Sequence, residues 1–280
     1  MALVPMSQIM EAAVREGRGQ GAFNVIHLET AQALVSGAER VGMPVILQVS
    51  ENCAKYHGGL RPLAAATLAI AQDANVPVAL HLDHAEDENL VYQAMELGFG
   101  SVMFDGAKLP FEENLAATQR VVQAAHRQGV FVEAELGEIG GKDGAHAPGV
   151  RTDPTQAQQF VEATGVDALA VAVGSSHAML ERSAHLDLAL IEQLADQVPV
   201  PLVLHGSSGV ADDVLIQAIK RGMRKINVST HLNGFFARAV RDWLQAHPEG
   251  VDSRKYLGAG REALASEAAR LLALFAFKNL

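Results

Sequence analysis

Short apolar runs alternate along this chain with longer segments of helical spacing. The runs are GAFNV (21–25), PVILQVS (44–50), VALHLDH (78–84), SVMFD (101–105), VFVEAEL (130–136), ALAVAVG (168–174), PLVLHG (201–206) and KINVS (225–229). Between them lie stretches such as 29–42, 88–98 and 112–129, whose apolar residues recur every three or four positions and which tend to close on glycine. Strands that alternate with helices are parallel and joined by crossovers. Eight such units match a closed (β/α)8 TIM barrel of the α/β class. An open doubly wound sheet is the other solution, but no GxGxxG or GxxxxGK[ST] fingerprint follows an early strand. An opening helix near 7–17 and a last amphipathic helix near 260–277 stand outside the repeat. No linker or composition break divides the chain, so residues 1–280 read as a single domain.

Barrel enzymes carry their chemistry at the carboxyl ends of the strands. Here those ends bear Asn24, Ser50, Asp83 with His84, Asp105, Glu135, His177 just past its strand, His205 and Asn227. A polar group at every strand end is hard to explain as packing, because burying such groups costs free energy unless they are partnered. His84, His177 and His205 close three different strands and converge on one mouth. Three neutral imidazoles leave a bound Zn²⁺ its full charge and an open coordination position, which suits Lewis-acid catalysis. Asp83, next to His84, is placed either to exchange a proton with a substrate oxygen or to orient an imidazole. His81 shares the face of Asp83 by the strand period. HGSSG (205–209) and NVST (227–230) follow the last two strands, where small residues and a helix N-terminus form a phosphate seat. Residues 137–153, with five glycines and no helical pattern, read as a lid over the mouth.

Composition narrows the partners. A net charge of −10 argues against nucleic acid and against anionic membrane surfaces. The apolar fraction of 49% is ample for a core, yet no run reaches the roughly 20 residues of a membrane span. A lone cysteine, Cys53, excludes both an internal disulfide and a cysteine-rich zinc site and fits a reducing compartment. With an N-terminus unlike a signal peptide, the expected location is the cytoplasm.

The segments HLDHA (81–85), VEAELGEIGG (132–141), VAVGSSH (171–177), LVLHGSSG and KINVST (225–230) resemble the class II ketose-bisphosphate aldolases, the branch that handles fructose and tagatose bisphosphates. The resemblance runs from GAFNV to DSRKYL. It implies reversible cleavage of a ketose 1,6-bisphosphate, with the fructose sugar favoured, to dihydroxyacetone phosphate and glyceraldehyde 3-phosphate through a zinc-stabilised enediolate. It implies His84, His177 and His205 as zinc ligands and Asp83 as the group handling the C4 hydroxyl proton. Asp105 and Glu135 match carboxylates near alternative positions of the metal. Gly206, Ser208, Asn227 and Thr230 resemble contacts to dihydroxyacetone phosphate, with Asn24, Gly174 and Ser229 completing the substrate-facing set. Ser50 and Arg254 match positions that hold the distal phosphate. A monovalent cation (Na⁺ or K⁺) near the first phosphate and a homodimer or homotetramer are also implied.

Several positions depart from the pattern. The lid has Lys142 and Asp143 after its glycine pair where the family has a glutamate, so either Asp143 or Glu138 is left to move the enediolate proton. Ala178, Ala107 and His231 replace a glycine, a serine and an acid. A tagatose-bisphosphate or related keto-sugar phosphate aldolase is the alternative substrate class. An amidohydrolase would need an HxH pair on the first strand, which GAFNVIH lacks, and a non-catalytic subunit would be marked by loss of a zinc histidine, of which none is lost.

Overall fold

The computed structural model describes residues 2–137, 150–177 and 179–278. Helix α1 (Met6–Glu16) leads into β1 (Gln20–Asn24), α2 (Leu28–Val41), β2 (Val45–Ser50), α3 (Glu51–Tyr56), α4 (Arg61–Gln72), β3 (Val78–Ala85), α5 (Glu88–Glu96) and β4 (Ser101–Phe104). Then come α6 (Phe111–His126), β5 (Phe131–Leu136), α7 (Pro154–Thr164), β6 (Ala168–Val171), α8 (Leu188–Gln197) and β7 (Leu202–Leu204). After α9 (Asp212–Lys220) follow β8 (Met223–Val228), α10 (Thr230–Ala246) and α11 (Ser253–Phe275). The eight strands are parallel and close into a barrel in chain order, with Gln20 of β1 opposite Lys225 of β8 at the seam.

Strand period decides what the barrel holds. Val78, Leu80 and Leu82 of β3 join the large apolar cluster beneath the helices. Ala79, His81 and Asp83, one residue out of phase, face the interior, as opposite pleats require. At the amino end of the barrel the interior is apolar: Ala22, Ile46 and Ala79 pack against Met6, Ile9 and Met10 of α1, which plugs that mouth. Higher up it turns polar, with Gln48, His81, Ser101, Glu133 and Lys225 all buried. At the carboxyl end lie Asp83, Glu135, His205 and Asn227, also buried.

Local signals set the helix ends. Ser50, Asp87, Asp153, Asp187 and Asp252 each accept a hydrogen bond from a backbone N–H in the first turn of α3, α5, α7, α8 and α11. The last helix begins at Ser253, one to two turns before the predicted 260, because Asp252 caps it there. It lies along α2, where a Cβ on Gly37 would stand 2.6 Å from the Ala265 carbonyl oxygen, so this crossing needs glycine. Strand β6 stops at Val171 rather than 174. Beyond it Gly174 takes a φ of +114°, and a Cβ there would strike the His185 carbonyl. Most of the 137–153 segment, with Glu138 and Asp143, lies outside the described residues, as does Ala178.

Candidate metal and substrate site

The carboxyl mouth of the barrel opens into a cleft of about 310 Å³ lined by Asn24, Gln48, Ser50, Asp83, His84, His177, His205, Gly206, Ser208, Asn227, Ser229 and Thr230. Consecutive strand residues face opposite sides, yet Asp83 and His84 both reach it. The pairing of β3 with β4 slips between Leu82 and Ala85, and His84 has a left-handed φ of +50°. Such a bulge re-aims a side chain, at a backbone cost of about 1–3 kcal/mol for a residue other than glycine.

The three imidazoles meet as the sequence predicts. Ring centres lie 4.4 Å apart for His84 and His205, 4.9 Å for His84 and His177, and 5.7 Å for His177 and His205. One nitrogen from each lies within 4.8 Å of the others. His84 Nδ1 is 2.8 Å from the Asp105 carboxylate, so it carries the proton and leaves Nε2 as an electron-pair donor. That donor faces His205 Nδ1 at 2.7 Å. A cluster of neutral nitrogen donors of this size fits one Zn²⁺, which takes each at about 2.0–2.1 Å. His84, Asp105 and Glu135 form a second donor group sharing His84, with Glu135 3.8 Å from its Nδ1.

Asp83 is buried beside this cluster. Its Oδ2 accepts from Asn24 at 3.0 Å and Gln48 at 3.3 Å, and its Oδ1 from Asn227 at 3.4 Å. Burial pushes its carboxyl up. The His84 and His205 imidazoles, Lys225 and the Asn24 hydrogen bond outweigh that and hold it below the ordinary aspartate range. His81 hydrogen-bonds Ser101 at 2.7 Å. Burial, with Lys225 close by, keeps it well below the usual histidine range, so it is neutral.

On the opposite wall, Gly206 (φ +65°) brings the β7 loop against the 174–177 segment, where a Cβ would lie 2.7 Å from the Ser176 carbonyl. The Ser208 hydroxyl accepts from the backbone N–H of Ser229 at 3.4 Å and of His231 at 3.1 Å, joining this loop to the start of α10. The positive end of a 17-residue helix therefore borders the cleft. His231 turns away from it to Glu267, at 2.6 Å.

Two expected residues are placed elsewhere. Arg254 is 89% exposed, bonded to Asp252 and not part of the cleft wall. Gly174 shapes the loop that carries His177 without lining the cleft. The cations that do line it are Lys55, paired with Glu51 at 2.6 Å, and Lys108, paired with Glu86 at 3.0 Å. Neither lysine carries a periodic signal in the sequence. Both follow a strand end by a few residues, which is the only cue that could have singled them out. Gln48 and Glu133 are likewise hidden inside runs that read as apolar, and Lys225 opens one.

A barrel with a histidine cluster and an acid at its carboxyl mouth defines a class of metal-dependent lyases and hydrolases, and comparison with known proteins selects among them. The model of the family "Fructose-bisphosphate aldolase class-II" matches residues 4–279. A Bacillus subtilis (strain 168) protein described as "Probable fructose-bisphosphate aldolase" is 42% identical over 268 residues, 94% of each chain. The fructose-bisphosphate aldolase of Geobacillus stearothermophilus is 41% identical over 94% of this chain and 93% of its own. The crystal structure of the YdjI aldolase from Escherichia coli K12 superposes with a TM-score of 0.85 at 32% identity, over 98% of this chain and 97% of that one. The chain belongs to the class II fructose-bisphosphate aldolase family and is an aldolase, a lyase that makes and breaks a carbon–carbon bond.

Proposed function

We propose that the cleft residues carry out the reversible cleavage of fructose 1,6-bisphosphate to dihydroxyacetone phosphate and glyceraldehyde 3-phosphate, with zinc held by His84, His177 and His205. The reading rests on one observation above all: three imidazoles whose donor nitrogens lie within 4.8 Å of one another, beside a buried carboxylate, in a chain of this family. Zinc supplies Lewis acidity that stabilises the negative charge left on the three-carbon fragment when the bond breaks.

The protein's own groups do the rest. Asp83, ionised and fixed by three side-chain amides, takes the C4 hydroxyl proton. Gly206, Ser208, Ser229 and Thr230 receive the first phosphate at the α10 N-terminus, with Asn24 and Asn227 beside the reacting carbons. Ser50, Lys55 and Lys108, which also line the cleft, receive the distal phosphate. Asp105 and Glu135, sharing His84, offer the ion a second resting position. Lys225 is a poor candidate for a covalent nucleophile: its ammonium is buried against Glu133 at 2.9 Å and outside the cleft wall. Among the described residues no helix is long and apolar enough to cross a membrane.

The test is cleavage of fructose 1,6-bisphosphate, with tagatose 1,6-bisphosphate alongside, before and after chelation. Chelator should abolish turnover and added zinc should restore it. Borohydride with substrate should trap no adduct. Chelator-resistant turnover, or a trapped lysine adduct, would sink the reading.

A further inference from the structure

TIM-barrel interiors are ordinarily filled by layers of branched apolar side chains. This one holds a fully buried Glu133 and a fully buried Lys225 in the layer beneath the histidines. The pair is close, Lys225 Nζ to Glu133 Oε2 at 2.9 Å. Taking two charges out of water costs several kcal/mol per ion before their attraction is counted, and apolar replacements of similar volume are often more stable. Stability alone therefore does not account for the pair, and its other contacts do.

Each member touches one residue of the site above. Glu133 Oε1 lies 2.9 Å from His205 Nε2. A carboxylate ion-paired to lysine only accepts, so that nitrogen carries the ring proton and Nδ1 keeps its electron pair. Nδ1 is the nitrogen that faces His84 Nε2 at 2.7 Å. The Asn227 amide nitrogen sits 3.4 and 3.2 Å from the two ring nitrogens, beside the ring and almost equidistant, and so does not select the tautomer itself. Lys225, ion-paired to Glu133, donates a hydrogen bond to Asn227 Oδ1 at 2.8 Å. With its oxygen held below, the amide turns its NH₂ group up toward Asp83 Oδ1.

We infer that the buried Glu133–Lys225 ion pair is a positioning pair that fixes His205 with Nδ1 directed at the metal and Asn227 with its NH₂ directed at Asp83 and the cleft. It rests on the zinc reading above. Two binary choices, a tautomer and an amide flip, are set from below by one pair of opposite charges that never touches substrate.

The test measures zinc affinity by chelator competition in the parent and in Glu133→Gln, with thermal melting of both metal-free proteins. The glutamine keeps the shape but loses the charge, and its NH₂ group favours the wrong tautomer of His205. Zinc should bind about 10–100-fold more weakly, read at a temperature where both metal-free proteins are folded, because the variant leaves Lys225 a buried charge without its partner and should melt lower than the parent. Equal affinity would overturn the pair and leave the zinc site standing; a parent that binds no zinc would overturn the site reading itself. Should Glu133→Gln not fold, ¹⁵N NMR of the zinc-loaded parent decides without a variant. A slowly exchanging proton on His205 Nε2 is expected, and a proton on Nδ1 would overturn the inference.

Discussion

Asp83 shows how much one residue depends on its neighbours. A buried carboxylate would ordinarily be pushed toward neutrality. Here the two imidazoles, Lys225 and the Asn24 amide reverse the sign, and the group is held as a base at neutral pH. It lies 4.0 Å from His84 Nε2, too far for a hydrogen bond and close enough to act on a ligand in the same cleft. Asp83→Asn should therefore retain zinc, measured by metal content, while kcat falls about 10²–10⁴-fold, the usual worth of a positioned proton acceptor. Loss of the metal with turnover would make Asp83 a structural partner of the histidines instead.

Elements set which of these residues were legible beforehand. The barrel, the three histidines and Asp83 could be read because the strands, β6 apart, end within two residues of their apolar runs, and polar groups stand out there. The pairing of Glu133 with Lys225 could not. They sit inside or at the foot of strands whose outward neighbours, Val132 and Ile226, carry the apolar signal, and only the closed barrel shows that they face one another. The place of His84 at a strand end is visible in the sequence, but the bulge that turns it inward is not. Arg254 was carried over by motif, and the start of α11 leaves it on the surface, bonded to the residue that caps that helix. His231 stands where an acid is usual, and the partner it meets is itself an acid, Glu267. The loop after β7 supplies a prediction at this scale. Gly206→Ala adds a Cβ 2.7 Å from the Ser176 carbonyl at a left-handed φ. The loop bearing His177 and the loop after β7 would be forced apart. A loss of about 1–3 kcal/mol in stability is expected together with a raised KM for the bisphosphate, read by melting and steady-state kinetics. An unchanged KM would show that the two loops move independently.

Across the whole molecule, one charged chain ties the closing helices to the loop that carries His177. Arg182, past His177, bonds the Val210 carbonyl at 2.7 Å and Asp212 of α9 at 2.6 Å. Asp212 meets Arg270 of α11 at 2.7 Å, and Arg270 grips both oxygens of Glu267 at 2.9 and 2.7 Å. Glu267 in turn takes His231 of α10. Burial raises the carboxyls of Asp212 and Glu267, but these partners outweigh it and hold both below their ordinary range. Groups depressed in the folded state bind protons more readily when unfolded. Their contribution is complete above the ordinary carboxylate range, about pH 4–4.5, and is lost as pH falls through the lower folded values. Glu267→Gln should cost about 1–3 kcal/mol at neutral pH, because Arg270 loses one of its two carboxylate partners and His231 loses the carboxylate it is hydrogen-bonded to. It should also flatten the acid limb of the stability curve, since one of the two depressed carboxyls is gone. Denaturant unfolding of the metal-free parent and variant from pH 7 to pH 3 checks both statements. Parallel curves would mean that the cluster adds no acid sensitivity to the fold.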